Sequence, residues 1–315
     1  ASRFGGFDIG RRQLSSTICC FVGALLTYAS AHSGPVALDS LKKVGEGLGL
    51  DFVGIDCNVR PDGSLLIFEI NASTNALAGT NGNNVSSPYR DSSLSFAGLF
   101  GIASMTNCEI AGGFMRNIEV INASGSLTLT IDRCNIHDTG ASAGDDGILV
   151  ENQSTANITT RIVNNMFSKH GGDHFNGSLT GSGTVSHTVT NNIMTGGHAI
   201  GLGQGIFILG ATYNGNFTYE VASNNITGNR QGGAIHVNKG SGTATYSGRI
   251  VNNVIGNPAV DGSGSLEASG IDVEAHGTGG SHTTLVAGNS VYRYNNDGIY
   301  FLAGEGNPAF NITCV

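Results

Sequence analysis

The sequence predicts an all-β chain: a right-handed parallel β-helix, a solenoid, over residues 96–315, preceded by a small N-terminal α/β fragment. Three observations predict it. Of 315 residues 49 are Gly and only 12% are charged, a composition that favours turns and short strands while 39% apolar residues remain for a core. Two sequence marks recur in step, the first at intervals of 26 to 36 residues, which is the period of stacked repeats and not of a two-layer domain. Within the second mark apolar residues alternate with polar ones, as on a strand with one buried face.

From the start of the chain, Arg11 and Arg12 precede a mostly apolar run, Leu14 to Ala31, that closes on Ala29, Ser30 and Ala31. Charged, apolar and small-residue parts in that order are those of an export signal. Ser15, Ser16, Thr17 and Gly23 interrupt the run, so residues 1–31 form an apolar segment that is either signal-like or a buried helix or strand. No stretch reaches the roughly 20 unbroken apolar residues of a membrane-spanning helix. A start at Ala1 and a strand-like end, Phe310 to Val315, are expected to be cuts in something longer.

Residues 32–78 follow another pattern. Leu38, Leu41, Val44 and Leu48 have helical spacing, with Lys42 and Lys43 on a different face. Asp51 to Asp56 and Ser64 to Ile70 then read as two strands joined by the turn Arg60, Pro61, Asp62 and Gly63, where Pro and Gly supply the required backbone angles. The polar, turn-rich stretch within 79–95, including GTNGNNVSSP at 79–88, is a linker of the kind that separates domains.

In the remaining 220 residues the first mark is an Asn pair or its equivalent before an apolar residue: Glu109 and Ile110, Asn135 and Ile136, Asn165 and Met166, Asn192 and Ile193, Asn225 and Ile226, Asn253 and Val254, Asn289 and Ser290. In the second, Ile118 and Val120, Ile148 and Val150, Ile206 and Ile208, Ile235 and Val237, Ile271 and Val273, and Ile299 and Phe301 share a strand face, with His174, Phe175 and Asn176 at the corresponding place. One such strand cannot bury its apolar face alone, whereas stacked copies can. Asn suits the corners because it tolerates left-handed backbone angles, and its amide can form a ladder from coil to coil.

The runs 247–256 (SGRIVNNVIG), 268–277 (ASGIDVEAHG) and 196–206 (GGHAIGLGQGI) resemble the β-helix segments of large repetitive bacterial surface and adhesin-like proteins. That resemblance implies export, an extracellular or cell-surface location and a fibrous role, and it carries over no catalytic residue. Residues 48–56 (LGLDFVGID) with 61–71 (PDGSLLIFEIN) resemble the C-terminal end of ATP-grasp ligases. That resemblance puts the magnesium ligands of the ATP phosphates on Asp56, Glu69 and Asn71, hard oxygen donors of the kind a small octahedral cation needs. The nucleotide-covering lysines and glycine-rich loop of such a ligase are expected well upstream of Leu38, and residues 1–37 are too few and of the wrong composition to supply them. These ligands are therefore vestigial, and magnesium-ATP is expected only with a complete domain; no other cofactor is expected. A cytosolic ATP-using tail joined to an exported solenoid is expected to be a fusion of two unrelated genes.

A net charge of -8 leaves no basic face for nucleic acid. Six scattered cysteines give neither a disulfide framework nor C-x-x-C metal spacing. Register nevertheless puts Cys108 and Cys134 at equivalent places on adjacent coils, where a free thiol pair is expected. Outward between the second-mark core residues lie Glu119, Leu149, Asn176, Phe207, His236, Asp272 and Tyr300, a column with no adjoining carboxylates and so no lyase or glycosidase acid pair. The best remaining cluster is Arg116, Asp146 and Asp173 on successive coils, with Asp145 and His174 nearby, readable as a calcium site or as a solvated salt-bridge ladder. His170, His187 and His198 are expected in loops or on the surface. The function that follows is a surface-exposed structural or adhesive solenoid, meeting carbohydrate or a host or cell surface, without catalytic residues. The alternatives are a polysaccharide-binding or polysaccharide-degrading β-helix and an incomplete ATP-grasp carboxylate ligase.

Overall fold

The computed structural model describes the backbone of residues 17–21, 54–59 and 65–71, and residues 92–142, 144–196, 203–228 and 233–315 in full. The chain divides into two compact units, 1–72 and 73–315. In the first, strands Thr17–Phe21, Gly54–Val59 and Leu65–Asn71 form an antiparallel sheet in that order. The apolar segment thus contributes a strand that pairs with the first strand of the expected hairpin. The expected helix from Leu38 to Leu48 and residue His198 lie outside the described residues.

The second unit is a parallel β-solenoid. Three sheets of eight, eight and seven strands run its length, each strand paired in parallel with its counterparts on the coils before and after. This gives seven complete coils and two strands of an eighth, starting at Ser92–Ala97, four residues before Phe96. Each coil has a strand of mostly five residues, one of mostly seven and one of two or three. The second mark forms the first sheet, whose inward residues Ile118, Val120, Ile148, Val150, Ile206, Ile208, Ile235, Val237, Ile271 and Val273 are fully buried. Ile299 and Phe301, on the last coil, are half-buried.

The first mark forms the corner between the second and third sheets, and here the register corrects the sequence reading. Level with one another are Glu109, Asn135, Met166, Ile193, Asn225, Val254 and Ser290. The marks at Glu109, Asn135 and Asn225 therefore fall one residue later in the coil than the rest. The cause is that two different positions favour Asn. The first is left-handed, with φ of 59° at Asn164, 58° at Asn191 and 58° at Asn252, and Arg133, Ser223 and Gly288 take it at 55°, 56° and 64°. The second carries the ladder: Asn165, Asn192, Asn224, Asn253 and Asn289. Because Ser223 fills the left-handed place, the tandem Asn224 and Asn225 sits one residue later than its fellows.

Each ladder asparagine is tied in both directions. The Oδ1 of Asn192 accepts the backbone N–H of Asn165 at 2.9 Å, and its Nδ2 donates to Ile162 O at 2.9 Å and to Asn224 Oδ1 at 3.0 Å. Asn165, Asn224 and Asn253 repeat the pattern. Buried backbone groups at a corner would otherwise lack partners, so a buried amide that is fully bonded turns a cost into a coil-to-coil tie.

A second stack runs through the core. The rings of Phe175, His187, Phe217, Tyr246, His282 and Phe310 follow one another with centroids 5.4, 5.3, 4.9, 5.3 and 5.5 Å apart. His187 is thus a core residue, contrary to the surface expectation. Its Nδ1 lies 2.7 Å from the Thr160 hydroxyl, and burial pushes the ring down to about 3, so it stacks as a neutral aromatic.

Candidate functional site

The outer face of the first sheet carries Glu119, Leu149, Asn176, Phe207, His236, Asp272 and Tyr300 on successive coils, held level by strand pairing. Two polar clusters sit along it. At the first, Arg116 donates to Glu119 Oε1 at 2.7 Å, and Ser95 donates to Glu119 Oε2 at 2.9 Å. Arg116 Nε stands 3.9 Å from Asp146 Oδ2.

Asp146 and Asp173 do stack on adjacent coils beside Arg116, but they are buried, at 2% and 6% exposure, and not a solvated ladder. Asp146 Oδ1 accepts the N–H of Asp173 at 2.8 Å, and Asp173 Oδ1 accepts the N–H of Gln204 at 2.7 Å. Asn176 Nδ2 bridges the remaining oxygens at 3.1 and 3.2 Å. Burial pushes the Asp146 carboxyl up to about 7, and burial with the Asp146 charge holds Asp173 well above the usual carboxylate range. These carboxyls tie coils at one corner as the asparagines do at another, but in the opposite sense: each carboxyl accepts a backbone N–H of the next coil, whereas each asparagine accepts one of the coil before. Asp145, also buried, turns inward to accept the Ser142 N–H at 2.6 Å.

Beneath them lies a pair of buried imidazoles. Asn117 Oδ1 accepts the N–H of Gly113 at 3.1 Å, which directs its Nδ2 to His170 Nε2 at 3.3 Å. His170 therefore carries its proton on Nδ1 and donates it to His174 Nδ1 at 2.7 Å. Burial holds His174 down at about 4. His170, like His187, is a core residue and not a surface one.

The second cluster was not found from sequence. Asp272 and Glu274 lie two apart on one strand, on its outer face, with Cα atoms about 6.6 Å apart at the usual strand rise. Their environments pull them in opposite directions. His236, 3.6 Å away, and then His276, at 2.9 Å, hold Glu274 down at about 2, and Asn238 donates to it at 2.5 Å. Burial raises Asp272, whose Oδ1 is buried without a hydrogen-bond partner. Residues compared from coil to coil show no such pair, because both carboxyls lie on one strand; the signal in the sequence is the alternation Asp272, Val273, Glu274. Next to it the Phe207 ring lies against His236, tilted by 44° with centroids 5.1 Å apart, and Tyr300 is 37% exposed.

For the first unit, the backbone register sets Asp56 opposite Glu69 and Gly54 opposite Asn71, with an irregularity between Asp56 and Cys57. Among the described residues no three His, Cys, Asp or Glu side chains gather as a metal site, and no helix is long and apolar enough to cross a membrane. Comparison with family models, with curated proteins and with solved structures finds no match to the chain.

Proposed function

We propose that the solenoid is an exported, surface-exposed structural and adhesive element with no reaction of its own. The observation that carries this reading is the use of Asp146 and Asp173: the acids with the most displaced ionisation near the face are consumed as backbone acceptors between coils, at 2.8 and 2.7 Å, and are closed to a substrate. What remains for a partner is the half-exposed strip of Phe207, His236, Asp272 and Tyr300, with one residue per coil at about 4.8 Å spacing. A flat row of rings, imidazole and carboxyl suits an extended polysaccharide, which offers both apolar sugar faces and hydroxyls.

A second reading, polysaccharide hydrolysis, is favoured by one observation. Asp272 and Glu274 are two carboxyls on one strand face with opposite ionisation tendencies, the division that a general acid and a general base need. Affinity electrophoresis through gels containing single polysaccharides, with a reducing-end assay on the same polymers, tests both. The adhesive reading expects retardation by at least one polymer, lost in Phe207→Ala and Tyr300→Ala, with no new reducing ends. Reducing ends that disappear in Glu274→Gln would replace it with the hydrolytic one, and retardation by none would end the carbohydrate assignment. In the first unit we treat Asp56, Glu69 and Asn71 as relics of a magnesium site, and calorimetric titration of the chain with magnesium-ATP is expected to give no binding heat.

A further inference from the structure

The ladder position is an asparagine on five successive coils and a cysteine on the two before them, Cys108 and Cys134. Register fixes the two as equivalents, because Glu109 is level with Asn135 and Ile110 with Ile136. Sulfur takes over part of the amide's work. The ladder reaches the thiols from the coil after them: Asn165 Oδ1 accepts the N–H of Cys134 at 2.8 Å. Each thiol also donates to the carbonyl two residues back, Thr106 O and Asp132 O, at 3.5 Å. What a thiol cannot supply is the second amide hydrogen with which Asn192 or Asn224 bonds the next rung, so the first two rungs are the weakest ties in the ladder. Both thiols are free. Equivalent Cα atoms on adjacent coils lie about 4.8 Å apart, inside the roughly 4.4 to 6.8 Å of disulfide-bonded pairs.

We propose that Cys108 and Cys134 form a reversible disulfide that staples the first coil of the solenoid to the second, closed by exchange with a low-molecular-weight disulfide. Cys108 is half-exposed and reacts first: it loses its proton to solvent, its thiolate attacks one sulfur of the small disulfide, that S–S bond breaks, and one small thiolate leaves and is protonated. The Cys134 thiol then gives its proton to solvent, its sulfur attacks Cys108 Sγ, and the second small thiolate departs. Two protein thiols are oxidised to one disulfide and one small disulfide is reduced to two thiols. Burial pushes the Cys134 thiol up to about 11, which makes closure the slow step and lets the mixed disulfide on Cys108 accumulate before it.

Tryptic mapping tests this on the full chain, since Arg116 and Arg133 separate the two cysteines into peptides 91–116 and 134–161. After incubation with oxidised glutathione, these two peptides are expected joined by a disulfide that dithiothreitol removes and that Cys108→Ser and Cys134→Ser abolish. At early times peptide 91–116 is expected to carry glutathione. Recovery of both peptides as free thiols, or of Cys108 permanently glutathionylated while Cys134 stays alkylatable, would overturn the proposal. If a serine variant fails to fold, phenylarsine oxide, which binds paired thiols without oxidising them, gives a second readout on the wild-type chain. Protection of both peptides from alkylation is expected, and protection of neither would overturn the pairing.

Discussion

The hydroxyl of Tyr219 bonds to that of Thr284 two coils away, passing over the strand between them at Gly248. The same hydroxyl lies 2.9 Å from His282 Nε2. This reach needs the intervening position to be glycine, because a Cβ built on Gly248 would fall 2.5 Å from the Tyr219 ring.

Gly248→Ala is therefore expected to destabilise the solenoid by about 2 kcal/mol, the cost of overpacking a closed core. In a Tyr219→Ala background, where the ring is gone, the same substitution is expected to cost less than about 0.5 kcal/mol. Urea unfolding of the four proteins of this cycle measures the coupling, and equal costs in the two backgrounds would show that the ring does not dictate the glycine.

The ladder predicts a larger effect. Asn192→Ala strands the N–H of Asn165 and the carbonyl of Ile162 in the interior, each worth about 1 to 3 kcal/mol when left unpaired, so a loss near 3 kcal/mol is expected. Asn157→Ala, whose Oδ1 makes one exposed bond to Thr184 N, is the control and is expected to cost less than about 1 kcal/mol. Denaturation midpoints that shift equally would deny the ladder its special weight.

Acid should weaken the core through its histidines. Burial holds His174 and His282 at about 4 and His187 at about 3, against about 6.5 in an unfolded chain. The stability gained by keeping these rings neutral is complete above about pH 6.5 and drains away as pH falls towards about 4, at up to about 1.4 kcal/mol per pH unit for each ring. His187→Leu is expected to lessen the slope of stability against pH between 4 and 6 by one such increment. An unchanged slope would mean that His187 does not take up a proton on unfolding.

Asp146 acts in the opposite sense. Its carboxyl, raised to about 7, favours the fold fully below about pH 3.9 and loses that contribution as pH rises through 7. Asp146→Asn keeps an oxygen for the Asp173 N–H and removes the buried charge, so the variant is expected to gain on the wild type by about 4 kcal/mol between pH 4 and pH 8. Millimolar calcium at pH 8 is expected to leave the wild-type unfolding midpoint where it is. A calcium-induced rise that Asp146→Asn abolishes would give Asp146 and Asp173 the cation instead.

The parts of this architecture legible in the sequence were those set by a single periodicity. Alternation alone placed Ile118 to Val273 on the buried face of the first sheet, and the spacing of Cys108 and Cys134 placed them level. What eluded the sequence depended on neighbours many residues away. His187 looks polar and loop-like until Phe175 from its own coil and Phe217 from the next close on it. Asp146 and Asp173 look like a surface ladder because nothing local says that backbone N–H groups will need them. The slip at Asn225 arose because two positions, one asking for a left-handed backbone and one for a buried amide, favour the same residue type. Asp272 and Glu274 were visible as an alternation, but their opposed ionisation comes from burial of Asp272 and from His236, one coil before, and His276 beside Glu274.

The asparagine ladder also has a polarity. Every rung accepts a proton from the coil before it and leaves its own N–H to the coil after it, so each coil is sealed only when its successor arrives. A chain leaving the ribosome from its N-terminus presents the rungs in that order, and the growing end at every stage exposes the same unmet N–H to the segment about to be synthesised. Growth in that sense is self-templating, because each new coil supplies the acceptor that the one before it lacks.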